Sequence, residues 1–467
     1  MVADEGGTAA SAQKADDGHH GPSRSLSVLT RYPDFRRFFV GNSLSLLGSS
    51  VTIVALPLTA VVYLHASPAQ MGILGAASFL PHLVLGLPAG VWVDRMPYRR
   101  TLILADLTQT LLLGSVPVLA VLGSLQIWHL YVVAVLAGVG NLFETVTAQS
   151  FTPILVSRRQ LLPANSALML SNATVNTTGS VLGGALVSLL TAPVAIAADA
   201  VTFLLAGLCK ARIRTSGPVV VSAGAHRQHL RADILEGLRA VFGHRIIRAV
   251  TLAAAVGALA GQMQNVVLVL YLVRDLSLSP GLVGVVVAIG GVAGILGALV
   301  ATRITQRIGP GRAFVAGMFL AAMAGLVLAA AAGPLSLVLA VLAMAQLLRG
   351  TGPSLYGVNQ QTLRQALIAP VLLSRANATW RFLVYGTQPL GALLGGLLGS
   401  ALNLRATLII SSAVMLLGTV IAHVSPLRSL RELPAQEAGD ESTALTEWSA
   451  AFCPSPSEEV PRAASKD

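Results

Sequence analysis

The sequence is poor in charge, which argues against a soluble fold. Of its 467 residues, 11% are charged and 54% are hydrophobic, and the mean hydropathy is +0.73. An ordinary soluble protein carries about 25% charged residues, so this chain of 48.1 kDa has too few to coat a water-facing surface. Aromatic residues are also few, at 5%, whereas glycine is abundant, which favours close helix packing in lipid. The composition predicts a polytopic membrane protein.

Cysteine is nearly absent, which excludes a disulfide framework. Cys209 ends an apolar run and Cys453 lies in a polar segment, and neither has neighbours typical of a metal or redox site. The sequence also lacks a phosphate-binding glycine loop with lysine, a zinc-ligand set and a hydrolase nucleophile elbow. We therefore expect no cofactor, no metal and no enzymatic activity. The net charge of +11 fits basic residues at membrane edges better than nucleic-acid binding.

Twelve apolar segments have the length of about 20 residues that a helix needs to cross a bilayer. Long apolar runs in lipid are helices, because the backbone must satisfy its own hydrogen bonds there. The predicted spans are 38–63, 70–93, 101–123, 128–149, 165–190, 193–210, 249–273, 281–302, 313–333, 335–357, 377–400 and 404–424.

An internal repeat divides these segments into two sets of six. Ala164-Asn165 recurs as Ala376-Asn377, and the glycine-rich stretches that begin at Gly179 and Gly391 have the same offset of 212 residues. Pro68 and Gly72 match Pro280 and Gly284 at that offset. The repeat predicts an all-α membrane protein with two pseudo-symmetric six-helix bundles. The predicted boundaries are 36–210 and 249–425 for the bundles, 211–248 for a linker, and 1–35 and 426–467 for disordered tails.

Basic residues concentrate in alternate loops and set the predicted orientation. Short loops on one side carry ten arginines and those on the other side carry two, so we expect both termini in the cytoplasm. Lys210 is counted with the charges of the cytoplasmic linker. Within that linker, Arg231–Arg248 has an apolar face at helical spacing, which predicts an amphipathic helix along the inner membrane surface. A fully solvated linker is the alternative.

A charged motif follows the second predicted helix. It reads Gly90-Val-Trp-Val-Asp94-Arg95-Met-Pro-Tyr-Arg99-Arg100. A carboxylate and arginines at a membrane edge can form a latch between helix ends, which is intact in one conformation and broken in another. Asp106, in the next helix, is expected to be a partner of this loop. Simple charge anchoring is the alternative for the arginines.

This motif resembles the signature of the major facilitator superfamily, with Pro97 and Tyr98 as departures from it. Gly179-Ser180-Val-Leu-Gly183-Gly184 is similar to the exporter, or antiporter, signature of that superfamily, although Ser180 replaces a proline. The resemblance implies that small residues bend and pack helices at the interface of the two halves. The residues in these roles are Gly179, Gly183, Gly184, Pro389, Gly391 and Gly395.

Further text is similar to a narrower branch of the superfamily. Phe151-Thr-Pro153 and Glu236-Gly237-Leu-Arg239 resemble macrolide-efflux and siderophore-export proteins. The resemblance implies export by alternating access. An uptake permease, and a sensor or assembly partner that does not transport, are the alternatives.

Ionisable residues within predicted helices are candidates for coupling, because each is costly in lipid unless it is paired or hydrated. Glu144 is the candidate proton carrier, with structural pairing to an arginine or an amide as the alternative. Arg349 is a candidate counter-ion or contact for an anionic substrate. Asp199 lies in the sixth predicted helix without an assigned role.

Uncharged amides and a few aromatic residues predict a cavity for an amphipathic organic molecule. For any one amide, a hydrogen bond between helices is the alternative. The candidate cavity residues are Asn42, Asn141, Asn172, Asn176, Gln262, Asn265, Trp380, Tyr385 and Gln388. The sequence thus predicts a proton-coupled exporter in the inner or plasma membrane, whose partners are lipid, a small molecule and protons, and which acts as a monomer.

Overall fold

The computed structural model describes residues 28–93, 95–157, 160–189, 192–215, 230–368 and 370–430. The described part contains twelve long helices and one shorter helix, α7, between α6 and α8. The helices are α1 Pro33–Leu58, α2 Pro68–Val93, α3 Tyr98–Val121, α4 Ile127–Leu155, α5 Leu161–Leu189, α6 Ala192–Ala211, α7 Leu230–Gly243, α8 Arg245–Leu270, α9 Pro280–Ile308, α10 Pro310–Ala329, α11 Leu335–Leu367, α12 Pro370–Ala401 and α13 Leu404–Val424.

The twelve long helices correspond to the twelve predicted spans. Eleven of them are long and apolar enough, within the described residues, to cross a membrane. The twelfth, α5, has 29 residues and is therefore about 43 Å long. The structure extends two predicted spans at one end: α11 continues to Leu367 and α12 begins at Pro370. The added turns of α11 contain Asn359, Gln360 and Arg364, and those of α12 contain Arg375, so hydropathy alone does not include them.

The predicted tails are shorter than expected where the structure describes them. Val28 and Phe35 are buried in an apolar cluster with Phe151. After α13, Pro426–Ser429 forms a short 3-10 helix, and Leu427 is buried against α10. These segments are held by large apolar side chains that pack on the bundle. The predicted boundaries of the tails, at 35 and 426, are therefore wrong for the residues that the structure describes. The rest of both tails lies outside the described residues.

Equivalent backbone irregularities show the internal repeat in three dimensions. A π-helical turn extends α1 over Thr59–Tyr63, and a second extends α8 over Tyr271–Asp275. Each is followed by a residue at φ 52°, His65 in the first half and Ser277 in the second. All these pairs are 212 residues apart, the offset found in the sequence. The two six-helix halves therefore share local geometry as well as sequence.

The signature glycines pack helices within each half. Gly183 lies against α1, where a Cβ would be 3.2 Å from Val51 Cα, and Gly395 lies against α8, where it would be 2.8 Å from Met263 Cα. Gly179 and Gly391 make the matching contacts one turn earlier. The expectation that these four glycines pack at the interface of the halves is therefore wrong. Because they lack a side chain, α5 can approach α1 and α12 can approach α8, the first helix of the same half in each case.

The two halves meet most closely along α2 and α12. Gly72 and Gly396 face each other, and a Cβ at Gly72 would lie 2.9 Å from Gly396 Cα. We call the face where α1 begins and α13 ends the terminal face, and the opposite one the distal face. Gly72 is near the distal start of α2 and Gly396 near the distal end of α12. Nearby, Arg274 Nη2 donates to the Ala66 carbonyl oxygen at 2.7 Å, again between the halves.

Buried apolar clusters show that the distal side is closed. One large cluster joins both halves there, with Val54 and Leu130 from the first and Val267 and Leu342 from the second. Toward the terminal face, the clusters of the described residues belong to one half or the other. The halves are therefore joined at the distal face and separate toward the terminal face.

The helix between the halves, α7, packs on protein. Ala240 and Val241 are buried in a cluster with Ile368, Leu372 and Ala376 at the junction of α11 and α12. Glu236 forms an ion pair with Arg375 of α12. The amphipathic helix is thus present, but the expectation that its apolar face lies on the membrane surface is wrong for these residues. The extra turns of α11 and α12 supply the apolar partner.

Candidate functional site

A lysine and two carboxylates meet in the interior of the first half. Lys210 Nζ lies 2.9 Å from Asp106 Oδ1, 2.7 Å from Glu144 Oε1 and 3.1 Å from Ser45 Oγ. An ammonium group has three protons to donate, so these three acceptors satisfy it completely. Gln109 Nε2 donates to Glu144 Oε2 at 3.3 Å. We call Ser45, Asp106, Gln109, Glu144 and Lys210 the ion cluster; it joins α1, α3, α4 and α6.

Glycines make this convergence possible. A Cβ at Gly41 of α1 would lie 2.9 Å from Lys210 Cγ, so the lysine stem occupies the space that a larger residue would fill. Gly207 of α6 lies against Asp106, where a Cβ would be 3.3 Å from Asp106 Cβ. The Lys210 side chain can therefore turn from the end of α6 back into the bundle and lie between α1, α3 and α4.

The ion cluster is unbalanced in charge and nearly closed to solvent. One ammonium and two carboxylates sum to −1 when all three are ionised. Asp106 and Lys210 are fully buried, and Glu144 retains 6% exposure. An uncompensated buried charge is costly, and one proton neutralises this cluster. Glu144 is the ionisable member of the cluster that retains some exposure to solvent.

The structure corrects two assignments made from the sequence. Lys210 is an interior residue and not a charge of the cytoplasmic linker. Asp106 pairs with Lys210 and Ser45, and not with the loop after α2. Glu144 was predicted as a site, but its cation was missed because Lys210 stands at the boundary of an apolar run. A signal was present in the sequence. The helices α3 and α4 each carry a single acid, and α6 ends in Lys210, the one lysine of the first six-helix bundle.

A third buried carboxylate, Asp199, lies on α6 three turns before Lys210. Asp199 accepts hydrogen bonds from Thr52 of α1 and from Thr202 one turn later. Gly48 of α1 faces it so closely that a Cβ there would overlap the Asp199 carboxylate. Hydroxyl donors, and no cation among the described residues, are its partners. Asp199 therefore fixes α1 against α6 through hydrogen bonds.

The structure does not bring Glu144 and Arg349 together. Arg349 of α11 donates to Asn265 of α8, and Asn265 Nδ2 donates to Gln262 Oε1 at 3.1 Å. A Cβ on Gly75 of α2 would lie 3.6 Å from Gln262 Nε2, so this polar chain reaches the interface between the halves. The predicted cavity residues Gln262 and Asn265 thus form one group with Arg349, in the half opposite to the ion cluster.

The other predicted cavity residues are placed as follows. Asn172 donates to the Leu168 carbonyl of its own helix at 3.1 Å, which is a local contact. Trp380 and Tyr385 are neighbours, with ring centroids 6.2 Å apart. Three amide residues are half-buried and make no side-chain hydrogen bond with the described residues: Asn42, Asn141 and Gln388. The side chain of Asn176 lies outside the described residues.

The predicted latch is described only in part. Asp94 lies outside the described residues, and so do the surroundings of Gly90 and Gly184. Arg95 and Arg100 are exposed. Arg99 Nη2 donates to the Ala211 carbonyl oxygen at the end of α6, at 2.6 Å. One arginine of the motif therefore binds a helix C-terminus, the type of contact expected for this loop.

Comparisons with known proteins place the chain among transporters. A family profile described as "Transmembrane secretion effector" matches residues 25–447. The multidrug efflux pump Tap of Mycolicibacterium fortuitum is 29% identical over 82% of this chain and 93% of its own length. The enterobactin exporter EntS of Escherichia coli is 24% identical over 90% of this chain and 98% of its own.

Solved structures share the fold at low identity. A crystal structure of a mutant of the nucleoside transporter NupG superimposes with a TM-score of 0.69 and 11% identity. The superposition covers 84% of this chain and 99% of that one.

Proposed function

Because the chain belongs to the transmembrane secretion effector family, an exporter branch of the major facilitator superfamily, we propose that it exports a small amphipathic organic molecule of the drug, antibiotic or siderophore class. The chain is a multi-pass membrane transporter and not an enzyme. The names of its relatives, a multidrug efflux pump and an enterobactin exporter, support export over uptake. The basic loops at the terminal face support a cytoplasmic position for that face. The chain itself lies in the inner or plasma membrane.

Alternating access is the proposed mode of transport. The closure at the distal face, between Gly72 and Gly396, supports a state open toward the cytoplasm. The two bundles, 36–210 and 249–425, rock about this contact so that a central cavity opens to each side in turn. In the opposite state, the Gly90–Arg100 loop holds the terminal face shut. The transporter works as a monomer in lipid.

Proton coupling is assigned to the ion cluster, and the contact of Lys210 with both Asp106 and Glu144 is the observation that carries it. A proton on Glu144 leaves the ammonium with one anionic partner, so the cluster becomes neutral. Loss of the proton restores the second ion pair between α4 and α6. The protonated and deprotonated states of the cluster therefore favour different packing of α4 on α6. An antiporter requires such an element, whose conformation depends on proton binding.

A packing contact links this element to the interface between the halves. Gly138, one and a half turns before Glu144 on α4, lies against α2, where a Cβ would be 2.7 Å from the Ser78 carbonyl oxygen. The same helix α2 contacts α12 at the distal face. Movement of α4 at the ion cluster is thus transmitted to α2 and from there to the contact that opens and closes the distal side.

Accumulation assays in a drug-sensitive host test this function. Cells that express the wild type should accumulate less ethidium, tetracycline or erythromycin than cells with empty vector, and an uncoupler should abolish the difference. The variant Glu144→Gln keeps the shape of the side chain but cannot exchange a proton, so it should lose active efflux. Asp275→Asn, which changes an exposed acid after α8, is the matched control and should behave as the wild type.

The outcomes separate the alternatives. Higher accumulation in wild-type cells would indicate an uptake permease. Equal accumulation of every probe in wild-type, Asp94→Asn and vector cells would favour a protein that does not transport. Efflux that persists undiminished in Glu144→Gln would contradict the proton assignment while leaving export intact.

A further inference from the structure

A guanidinium group with no counter-charge among the described residues lies at the terminal end of the second half. Arg364, in the last turn of α11, is 7% exposed, and its Cζ lies 3.9 Å from the centroid of the Trp380 ring. Its Nε and Nη1 have no hydrogen-bond partner, and neither has Nε1 of Trp380. Buried donors of this kind are nearly always satisfied in folded proteins. Three donor nitrogens from two helices are therefore available to an acceptor that the described residues do not supply.

The sequence of the second half offers Arg364 no carboxylate on the helices that follow α8. Between Asp275 and Glu432 the chain has no acidic residue, although arginines occur throughout this segment. Glu236 of α7, which packs at the junction of α11 and α12, is paired with Arg375. Arg381, next to Trp380, adds another positive charge and is exposed. The second half thus has a surplus of arginine that no acid between Asp275 and Glu432 offsets.

Aromatic rings continue from this site to the contact between the halves. The Trp380 ring is 6.2 Å from Tyr385, and Tyr385 is 5.9 Å from His82 of α2. His82 Nδ1 is also buried without a partner. Phe79 follows, 6.4 Å from His82. A path of ring faces with two ring nitrogens that lack a partner among the described residues therefore extends from the terminal end of α12 to α2.

We propose that Arg364 and Trp380 bind the acidic group of the transported molecule, and that the substrate is an aromatic or amphipathic organic acid. This inference rests on the proposed function and specifies its substrate class. A carboxylate or an acidic phenol accepts from Arg364 and from the indole N–H, and such charge-assisted hydrogen bonds are the strong ones. Tyr385 and His82 pack against the apolar body of the molecule. An anionic lipid headgroup has the same oxygen chemistry, so the test includes it.

Three naphthalene probes that differ only in their polar group test the assignment. Purified full-length protein in a neutral detergent is titrated calorimetrically with 2-naphthoate, 2-naphthamide and 2-naphthylmethylamine. We expect the wild type to bind naphthoate at least about tenfold more tightly than the neutral amide, the range of one charge-assisted hydrogen bond. Arg364→Gln should remove this preference. Arg307→Gln, which changes an exposed arginine of the same half, is the control and should retain it.

Trp380→Phe provides a second, milder variant in case Arg364→Gln does not fold. It keeps a ring under the guanidinium and removes one N–H donor, so it should weaken naphthoate binding severalfold and leave naphthamide binding unchanged. Equal affinity of the wild type for naphthoate and naphthamide would overturn the inference. Displacement of naphthoate by phosphatidylglycerol, but not by excess benzoate, would assign the site to lipid and also overturn it.

Efflux of the same probes from loaded cells separates this inference from the proposed function. Active efflux of naphthamide with no effect of Arg364→Gln on any probe would leave an exporter whose substrate is not an acid. Arg364-dependent binding of naphthoate without efflux of any probe would preserve the binding site and contradict export.

Discussion

Replacement of Lys210 by methionine tests whether the ion cluster has the charge balance described. Methionine fills similar space, but it leaves Asp106 and Glu144 buried with only Ser45 and Gln109 as donors. Loss of one partner from a buried ion pair costs about 3–5 kcal/mol. A domain of 150–250 residues loses roughly 2–4 °C in Tm for each kcal/mol. The expected fall is therefore roughly 6–20 °C, measured by size-exclusion chromatography of heated, detergent-solubilised protein.

A second change should restore part of this loss. Lys210→Met combined with Asp106→Asn has a net cluster charge of −1, the same as the wild type, whereas Lys210→Met alone has −2. We expect the double variant to recover at least half of the fall in Tm. Arg100→Met, which changes an exposed cation at the same face, is the control and should match the wild type. A Tm of Lys210→Met within 1 °C of the wild type, or no recovery in the double variant, would refute the reasoning.

Three further predictions concern close contacts made by glycines. Gly72→Val should prevent closure of α2 on α12. A membrane-impermeant maleimide added from outside should then label a cysteine introduced into the central cavity faster than it does without the Gly72 change. Gly86→Val, on the same helix with open space around it, should not change that rate. Gly48→Ala should place a methyl group in the Asp199 carboxylate and greatly reduce the yield of folded protein; a normal yield would contradict the tight α1–α6 contact. Gly237→Val should detach α7 from α12, where a Cβ would lie 2.8 Å from a backbone oxygen, and hydrogen exchange of the α7 amides should accelerate.

The sequence was sufficient for the fold and the family, and the reason is physical. A helix in lipid must be a long apolar run, so twelve such runs predicted twelve long helices. The 212-residue offset predicted the two pseudo-symmetric halves, which the paired π-turns after Leu58 and Leu270 now match in detail. The predicted major facilitator fold and its exporter branch are confirmed by the family match and by the solved transporters.

The site was only partly predictable, because pairing in space does not follow from position in the chain. Glu144 was found as an intramembrane acid, but Lys210 was counted by its place at a helix end, and hydropathy cannot show that its stem turns inward. The same limit explains Asp106, which is close to the Arg95 loop in sequence and yet pairs with α6. The surplus of arginine in the second half was visible in the sequence as a long segment without acids. The sequence could not show that Arg364 is the arginine that lies buried without a counter-charge among the described residues.

The most direct test of proton-coupled export is a proton-flux measurement in proteoliposomes. With a pH-sensitive dye inside the vesicles, an imposed gradient of a transported probe should drive protons in the opposite direction through the wild type. Glu144→Gln should abolish this proton movement and retain exchange of probe for probe, because the substrate pathway is intact while the titrating acid is gone. Proton movement of the same size in Glu144→Gln as in the wild type would contradict the account.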